Sequence, residues 1–211
     1  MRVFGDLFMQ QTKIQLLPAE MELVSSPDII LTKNAILQKI KLFFEELQLK
    51  QFEILKDYAS QLPGPVLKIS PKISRGENYK GLPWLVLDNP RFFQHNNIFA
   101  IRTMFWWGNF FSTTLHLSGN NKAAVVKNIA NSFSVLKENN FLVYDGTKEW
   151  EHDLDPRFYK EVSSLNHAET DQIISSNNFL KLSAKISIDR LDAIEEKLLR
   201  NFELLVGCCC C

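Results

Sequence analysis

Cationic side chains in the middle of the chain are the residues best suited to hold a ligand. They lie between residues 75 and 116, together with hydroxyl groups that could donate hydrogen bonds. The cations are Arg75, Lys80, Arg91, Arg102 and His116, and the hydroxyls are those of Tyr79, Ser112 and Thr114. Such a set could converge on an anion if the strands that carry it pair in sequence order. The alternative is that each cation is solvated or paired locally.

His116 is the candidate catalytic residue of this stretch. It is predicted on a regular strand beside hydroxyl groups, where a general base can be held in a fixed orientation. The other histidines are His95, His152 and His167. They lack the i, i+4 spacing of a zinc helix, and the triplet Glu151-His152-Asp153 would alternate in direction if extended. We therefore predict no metal site, and a histidine satisfied within the sheet is the alternative reading of His116.

Large aromatic residues cluster around the same stretch: Trp84, Phe99, Phe105, Trp106, Trp107, Phe110 and Phe111. They could stack on a flat ligand, form a subunit contact or fill the core. Core packing is the default for aromatic residues at strand spacing. Because a hairpin tip rarely buries so many rings, an exposed patch that forms a ligand pocket or a dimer contact is the alternative. The predicted ligand-binding residues are Arg75, Tyr79, Lys80, Trp84, Arg102 and Trp106, and the expected ligand is a small anionic or aromatic molecule.

A β-hairpin over residues 97–118 must position most of these groups. Residues 98–107 and 110–117 are rich in β-branched and aromatic residues, and Gly108 with Asn109 suits a two-residue turn. If Trp107 pairs with Phe110, Arg102 lies opposite Leu115, whereas His116 falls on the other face of the sheet. This register argues against an anion site that both residues share.

The order of the other elements predicts an α+β fold. A long amphipathic helix ends near Leu62, a short strand is expected at 66–70, and residues 71–78 are expected to form a loop. Helices are predicted at 122–137 and from Asp189 to about Leu205. Residues 179–188 alternate, with Lys181 facing outward, and residues 148–158 are acidic and aromatic without periodicity. Because helices bracket the strands, we expect an antiparallel sheet built around the hairpin, packed by helices on one face.

The predicted domain organisation is one α+β domain over residues 1–207, with residues 1–31 as a lead-in segment. Cysteine is confined to Cys208–Cys211, which excludes a disulfide framework in the body of the chain. We expect this cysteine tail to be disordered. A soft-metal or redox tail and a lipidation signal are the alternatives.

Composition narrows the classes of function. Lys plus Arg and Asp plus Glu are both 24, so the net charge is zero, which argues against a nucleic-acid partner. No apolar run reaches the roughly 20 residues of a membrane span, and no secretory signal is evident, so we expect a cytoplasmic protein without a membrane partner. Phosphate-binding loops, the dinucleotide fingerprint and the serine-nucleophile elbow are absent, and no cofactor is predicted.

Residues 73–118, from ISRGENYKGLPW to FSTTLHLS, resemble sequence blocks of uncharacterised bacterial proteins. In those proteins a long helix precedes an Arg and a Tyr-Lys pair that lead into an antiparallel sheet. The resemblance implies a bacterial domain and transfers no activity and no catalytic residue.

Three functions remain open from the sequence, and one of them, a purely structural or assembly role, is favoured if no pocket of ligand size exists. The first is a non-catalytic domain that binds a small ligand, or a second subunit, through the sheet face around Arg102, Trp106 and Trp84. The alternative is a small hydrolase or transferase in which His116 is the general base and Arg102 or Lys80 holds an anionic substrate. The enzyme hypothesis requires His116 and at least two of the cations to converge in one pocket.

Overall fold

The computed structural model describes residues 14–210, and the chain divides between Gln38 and Lys39 into two compact units. The described part of the first unit holds α1 (Pro18–Ser25) and the start of α2 (Pro27–Tyr58). None of the described helices is both long and apolar enough to cross a membrane. The predicted limits at residues 31 and 207 stay predictions.

The second unit is built on a seven-stranded antiparallel sheet. Its strands are β1 (Lys72–Tyr79), β2 (Leu82–Gln94), β3 (Asn97–Trp106), β4 (Phe110–Ser118), β5 (Leu142–Tyr144), β6 (Tyr159–Glu161) and β7 (Phe179–Ser187), in the spatial order β1-β2-β3-β4-β7-β5-β6. Its further helices are α3 (Gly119–Asn131), α4 (Phe133–Glu138), α5 (His167–Ser176) and α6 (Ile194–Cys210). Short 3-10 turns span Val66–Lys68, Val162–Ser164 and Ile188–Ala193.

Helices pack on one face of this sheet, which confirms the predicted α+β class. The main core combines sheet residues such as Leu115 and Leu182 with Leu55 of α2, Ile129 of α3 and Phe202 of α6. All five side chains are almost completely buried. The strands β4 and β7 are central and alternate apolar and polar residues, so their apolar residues face the helices.

The register of the central hairpin differs from the prediction by one residue. Trp106, not Trp107, pairs with Phe110, and the connection is a three-residue loop in which Gly108 has a φ of +70°. Arg102 therefore lies opposite Thr114, and Ala100 lies opposite His116. A shift of one residue moves every side chain of a strand to the other face. The predicted separation of Arg102 from His116 is wrong, because both side chains lie on the face away from the helices.

Two local predictions before the hairpin are also wrong. Residues 71–78 were expected to form a loop, but residues 72–78 belong to β1 (Lys72–Tyr79), which lies at the edge of the sheet and pairs with β2 alone. Its polar composition fits an edge strand, since only one side of its backbone needs a partner. The strand expected at 66–70 is replaced by the 3-10 turn Val66–Lys68, which follows the proline pair Pro63 and Pro65.

The cysteine tail is ordered where the structure describes it. Cys208–Cys210 form the last turn of α6, and Cys208 and Cys209 are buried in the main core. The expectation of a disordered tail is therefore corrected for Cys208–Cys210, while Cys211 lies outside the described residues. Cysteine can serve as a small apolar side chain, and Cys209 extends the buried stripe of Leu205 by one helical turn.

The rings at the hairpin tip are core residues. Phe105, Trp106, Phe110 and Phe111 are all buried, and Phe111 packs edge-on against Phe44 of α2 at a centroid distance of 6.4 Å. These rings do not form the exposed patch on which the predicted subunit contact relied.

Candidate functional site

A row of polar side chains crosses the face of the sheet that is turned away from the helices. Asp88, Arg102, Thr114 and Ser183 are successive cross-strand partners on β2, β3, β4 and β7. Arg102 binds Asp88 through two hydrogen bonds, Nε to Oδ1 at 2.8 Å and Nη2 to Oδ2 at 3.1 Å. The hydroxyls of Thr114 and Ser183 are 2.8 Å apart. Polar residues on four adjacent strands thus satisfy one another within a buried layer.

Residues 145–158, which we call the covering segment, close over this polar face. The Tyr79 hydroxyl donates to Glu151 Oε1 at 2.6 Å, and Lys80 forms ion pairs with Glu151 and Asp153. Arg102 Nη1 lies 3.0 Å from Nε2 of His152 in the same segment. Two of the cations expected to hold an anionic ligand, Lys80 and Arg102, are therefore neutralised by acidic residues of the chain itself.

Five of the six predicted ligand-binding residues come together on this face. Trp106 donates from Nε1 to the Tyr79 carbonyl at 3.2 Å, and the two rings meet edge to face at 5.2 Å. Trp84 lies opposite Trp106, and its ring covers Gly76 so closely that a Cβ there would be 2.5 Å from Nε1.

Arg75 is the exception among the predicted ligand-binding residues. It is exposed and pairs with Leu85, so its side chain points to the other face of the sheet. Arg91, from the wider set of cations, donates from Nε to the Ser70 carbonyl at 2.8 Å.

Lys181 lies at the centre of the cluster and is 0% exposed. Lys181 was predicted to face outward from the helices. A period-two alternation shows only which face of the sheet a side chain lies on, and not whether another segment covers that face. Its Nζ donates to the Glu151 carbonyl and lies 5.2 Å and 5.6 Å from the ring centroids of Tyr144 and Tyr159. Burial, with the nearby charge of Arg102, lowers the pKa of Lys181 to about 7, although the surrounding carboxylates oppose this shift.

The hydrogen bonds of His152 agree with a neutral Lys181. Arg102 can only donate, so His152 Nε2 accepts from it and the proton of a neutral ring lies on Nδ1. Nδ1 is 3.5 Å from Lys181 Nζ, and an N–H can point at that nitrogen only if the amine has a lone pair. Burial and the charges of Lys181 and Arg102 lower the pKa of His152 well below its usual value, which keeps this ring neutral.

His116 is held in a similar way. It is 2% exposed, and burial together with the charges of Lys181 and Arg102 lowers its pKa to about 3. Its Nε2 lies 3.0 Å from Glu149 Oε1, and Trp150 packs edge-on against the ring at 5.1 Å. The neutral ring donates from Nε2 to the Glu149 carboxylate, so His116 positions Glu149.

Glu149 also lines a surface pocket of about 830 Å³. The pocket lies between the start of α3, the end of α5 and the covering segment. Its lining residues are Asn96, Ser118, Gly119, Lys122, Ala123, Val126, Thr147, Glu149, Ser175, Asn177, Asn178 and Phe179. None of the six predicted ligand-binding residues is among them, and His116 reaches the pocket only through Glu149.

Two ionisable groups in the pocket have pKa values shifted towards the neutral form. Burial lowers the pKa of Lys122, whose side chain donates to the Asn177 carbonyl. Burial also raises the pKa of Glu149, and the charge of Lys181 offsets part of this effect. Among the described residues, Lys122 and Glu149 form no ion pair with each other. The lining of the pocket therefore contains an amine, a carboxyl group and apolar surface.

Sequence reasoning missed both groups for a physical reason. Lys122 opens a predicted helix and Glu149 lies in an aperiodic acidic segment, where lysine and glutamate are ordinary surface residues. Only the way that the covering segment folds back over the sheet brings them to one pocket.

Comparisons with family models, curated proteins and solved structures found no match. The resemblance to uncharacterised bacterial proteins therefore stays a prediction. Within residues 14–210, no group of three or more His, Cys, Asp and Glu side chains is arranged to hold a metal ion.

Proposed function

We propose that this protein binds a small polar ligand in the pocket lined by Lys122 and Glu149. The observation that supports this proposal is that a buried amine and a half-buried carboxyl group line one cavity of about 830 Å³. Cavities of roughly 300–1,000 Å³ with a few placed polar groups are typical of small-molecule sites. The ligand-binding function expected from the sequence is retained, and its location moves from Arg102, Trp84 and Trp106 to this pocket.

The two groups define the chemistry of the ligand. Lys122 uses one N–H on the Asn177 carbonyl and can donate others to an anionic or strongly accepting group. Glu149 accepts from His116 through Oε1, and its Oε2 accepts no hydrogen bond from the described residues. A ligand with an acceptor at one end and a hydroxyl or amino donor at the other matches both. Val126 and Phe179 add apolar contact surface.

Thermal unfolding with defined compounds tests this proposal. The full chain is screened against amino acids, small hydroxy and dicarboxylic acids, and phosphate monoesters. A compound at ten times its Kd adds about 1.4 kcal/mol of stability, which corresponds to a rise in Tm of roughly 3–6 °C for a chain of this size. We expect at least one compound to give this shift, and Lys122→Met and Glu149→Gln each to abolish it.

Lys127→Met is the matched control, because Lys127 is an exposed lysine on α3 outside the pocket. This variant should keep the full ligand-dependent shift. Native mass spectrometry of the purified protein gives an independent readout, since a retained small molecule adds its mass to the 24.4 kDa chain. A ligand shift that survives both pocket substitutions would place the binding site elsewhere.

The hydrolase or transferase alternative rests on the same pocket. Its geometry brings Glu149, rather than His116, to the cavity surface, and a carboxyl group with a raised pKa can act as a general acid or base. Mass spectrometry of each stabilising compound after incubation with the protein separates the two functions, because only an enzyme changes the mass of the compound.

A further inference from the structure

Residues 14–38 expose many large apolar side chains. Ten large aliphatic residues in this segment have exposed fractions between 36% and 91%. They are Ile14, Leu16, Leu17, Met21, Leu23, Val24, Ile29, Ile30, Leu31 and Ile36. The helix α1 has no buried residue at all, and Leu37 is the one buried residue that the structure describes in this unit.

This exposed area is larger than a soluble monomer normally leaves uncovered. The ten residues together expose on the order of 1,000 Å², whereas the largest apolar patch of a typical monomer is about 300–600 Å². A standard protein–protein interface removes about 800 Å² from each partner. The segment therefore carries enough apolar surface for one side of a stable dimer.

The length of α1 also requires a packing partner. It has eight residues, and helices shorter than roughly 12–15 residues are marginal in water unless an apolar face is packed. Glu20 accepts a hydrogen bond from the Leu17 backbone N–H at 2.8 Å, which helps to begin the helix but buries no apolar surface.

The charge of the segment indicates the nature of the partner. Its acidic residues are Glu20, Glu22 and Asp28, and Lys33 is its basic residue, so three negative charges against one positive charge leave a net charge of −2. Helices that bind anionic membranes carry a basic polar face, and protein surfaces that bind nucleic acids are also basic. Neither condition is met here, and an apolar helical surface of this size remains suited to a protein partner.

We infer that residues 14–38 form a self-association surface, in which α1 and the start of α2 pack against the same helices of a second copy of the chain. A two-fold contact uses one patch twice, so each copy supplies the roughly 800 Å² that a dimer requires. The surface is distinct from the pocket of Lys122 and Glu149, and either proposal can fail without the other.

Light scattering after size-exclusion chromatography tests this inference on the full chain. The protein is measured at concentrations from about 1 to about 100 µM, because a dimer whose Kd lies in this range dissociates on dilution. We expect a mass of twice 24.4 kDa at the higher concentrations. Leu31→Glu and Met21→Glu, which place a charge at two separate points of the apolar surface, should each raise the dimer Kd at least tenfold.

Asn120→Glu is the matched control, because it adds the same charge at an exposed polar position of α3, outside residues 14–38. It should leave the dimer Kd within twofold, and circular dichroism verifies that all three variants keep their helix content. A wild-type mass of 24.4 kDa at every concentration, or equal effects of Leu31→Glu and Asn120→Glu, would overturn the inference. Co-sedimentation of a monomeric protein with phosphatidylcholine vesicles would also overturn it and assign the surface to lipid.

Discussion

Replacing Lys181 by Met should remove a specific pH dependence from the stability of the protein. In the folded chain burial lowers the pKa of Lys181 to about 7, whereas the ordinary value is 10.5. Between these two pH values the unfolded chain binds a proton that the folded chain does not bind. Raising the pH through this window makes that proton less available to the unfolded state, so stability increases. The increase is complete near pH 10.5, and below pH 7 both states are protonated and the dependence ends.

The magnitude follows from proton linkage. One proton contributes about 1.4 kcal/mol per pH unit wherever the two states differ by a full proton. Between pH 7.5 and 9.0 the folded chain is mostly neutral at Lys181 and the unfolded chain is mostly charged. The free energy of unfolding of the wild type, measured relative to Lys181→Met, should therefore rise by about 2 kcal/mol across this interval.

Urea denaturation of both proteins at pH 7.5, 8.25 and 9.0 measures this difference. Comparing the two proteins cancels the titration of all groups that they share. Lys185→Met is the control, since it removes an exposed lysine from the same strand and should give a difference that is flat with pH. A flat difference for Lys181→Met as well would refute the neutral, desolvated amine and with it the proton assignment on His152.

Two further predictions concern the folded cluster and the edge of the pocket. Asp88→Ala should lower the free energy of unfolding in urea by about 3–5 kcal/mol, because it leaves the Arg102 guanidinium buried without its carboxylate. The double variant Asp88→Leu/Arg102→Met should recover most of that loss, because it removes both charges. Gly119→Ala should lower the midpoint of thermal unfolding and cost about 2–4 kcal/mol, because Gly119 has a φ of +57° and a Cβ there would lie 2.1 Å from the Asn96 carbonyl oxygen. Equal stability of Asp88→Ala and the double variant, or an unchanged midpoint for Gly119→Ala, would contradict these arguments.

The elements with strong periodicity could be predicted from the sequence. The alternating strand β7 was placed within one residue, and the helices α2 and α6 were placed within about five residues at each end. Together they establish the α+β class. The edge strand β1 could not be predicted in this way. Its Gly76 and its charged residues resemble a loop, and the strand depends on pairing with β2 and on the Trp84 ring that covers Gly76.

The hairpin register shows how a small local difference changes a functional argument. Gly108 and Asn109 are compatible with both a two-residue and a three-residue loop, so composition alone does not select the register. The longer loop pairs Trp106 with Phe110 and brings Arg102 and His116 to the same face. The predicted separation of Arg102 from His116 was therefore wrong because the loop is one residue longer than expected.

The cluster on that face also explains why the predicted anion site is filled. Lys80 and Lys181 lie where a ligand was expected, and the acidic covering segment supplies the carboxylates of Glu151 and Asp153 and the Glu151 carbonyl to them. Arg102 is paired with Asp88 of β2. Residues 148–158 were predicted only as an acidic and aromatic segment without periodicity. Buried cations need carboxylates or carbonyls, and this segment provides both. Since these cations already have partners, the groups that remain for a ligand are those at the margin of the covering segment. Glu149 and Lys122 occupy that margin, which is why we propose the pocket, rather than the centre of the cluster, as the ligand site.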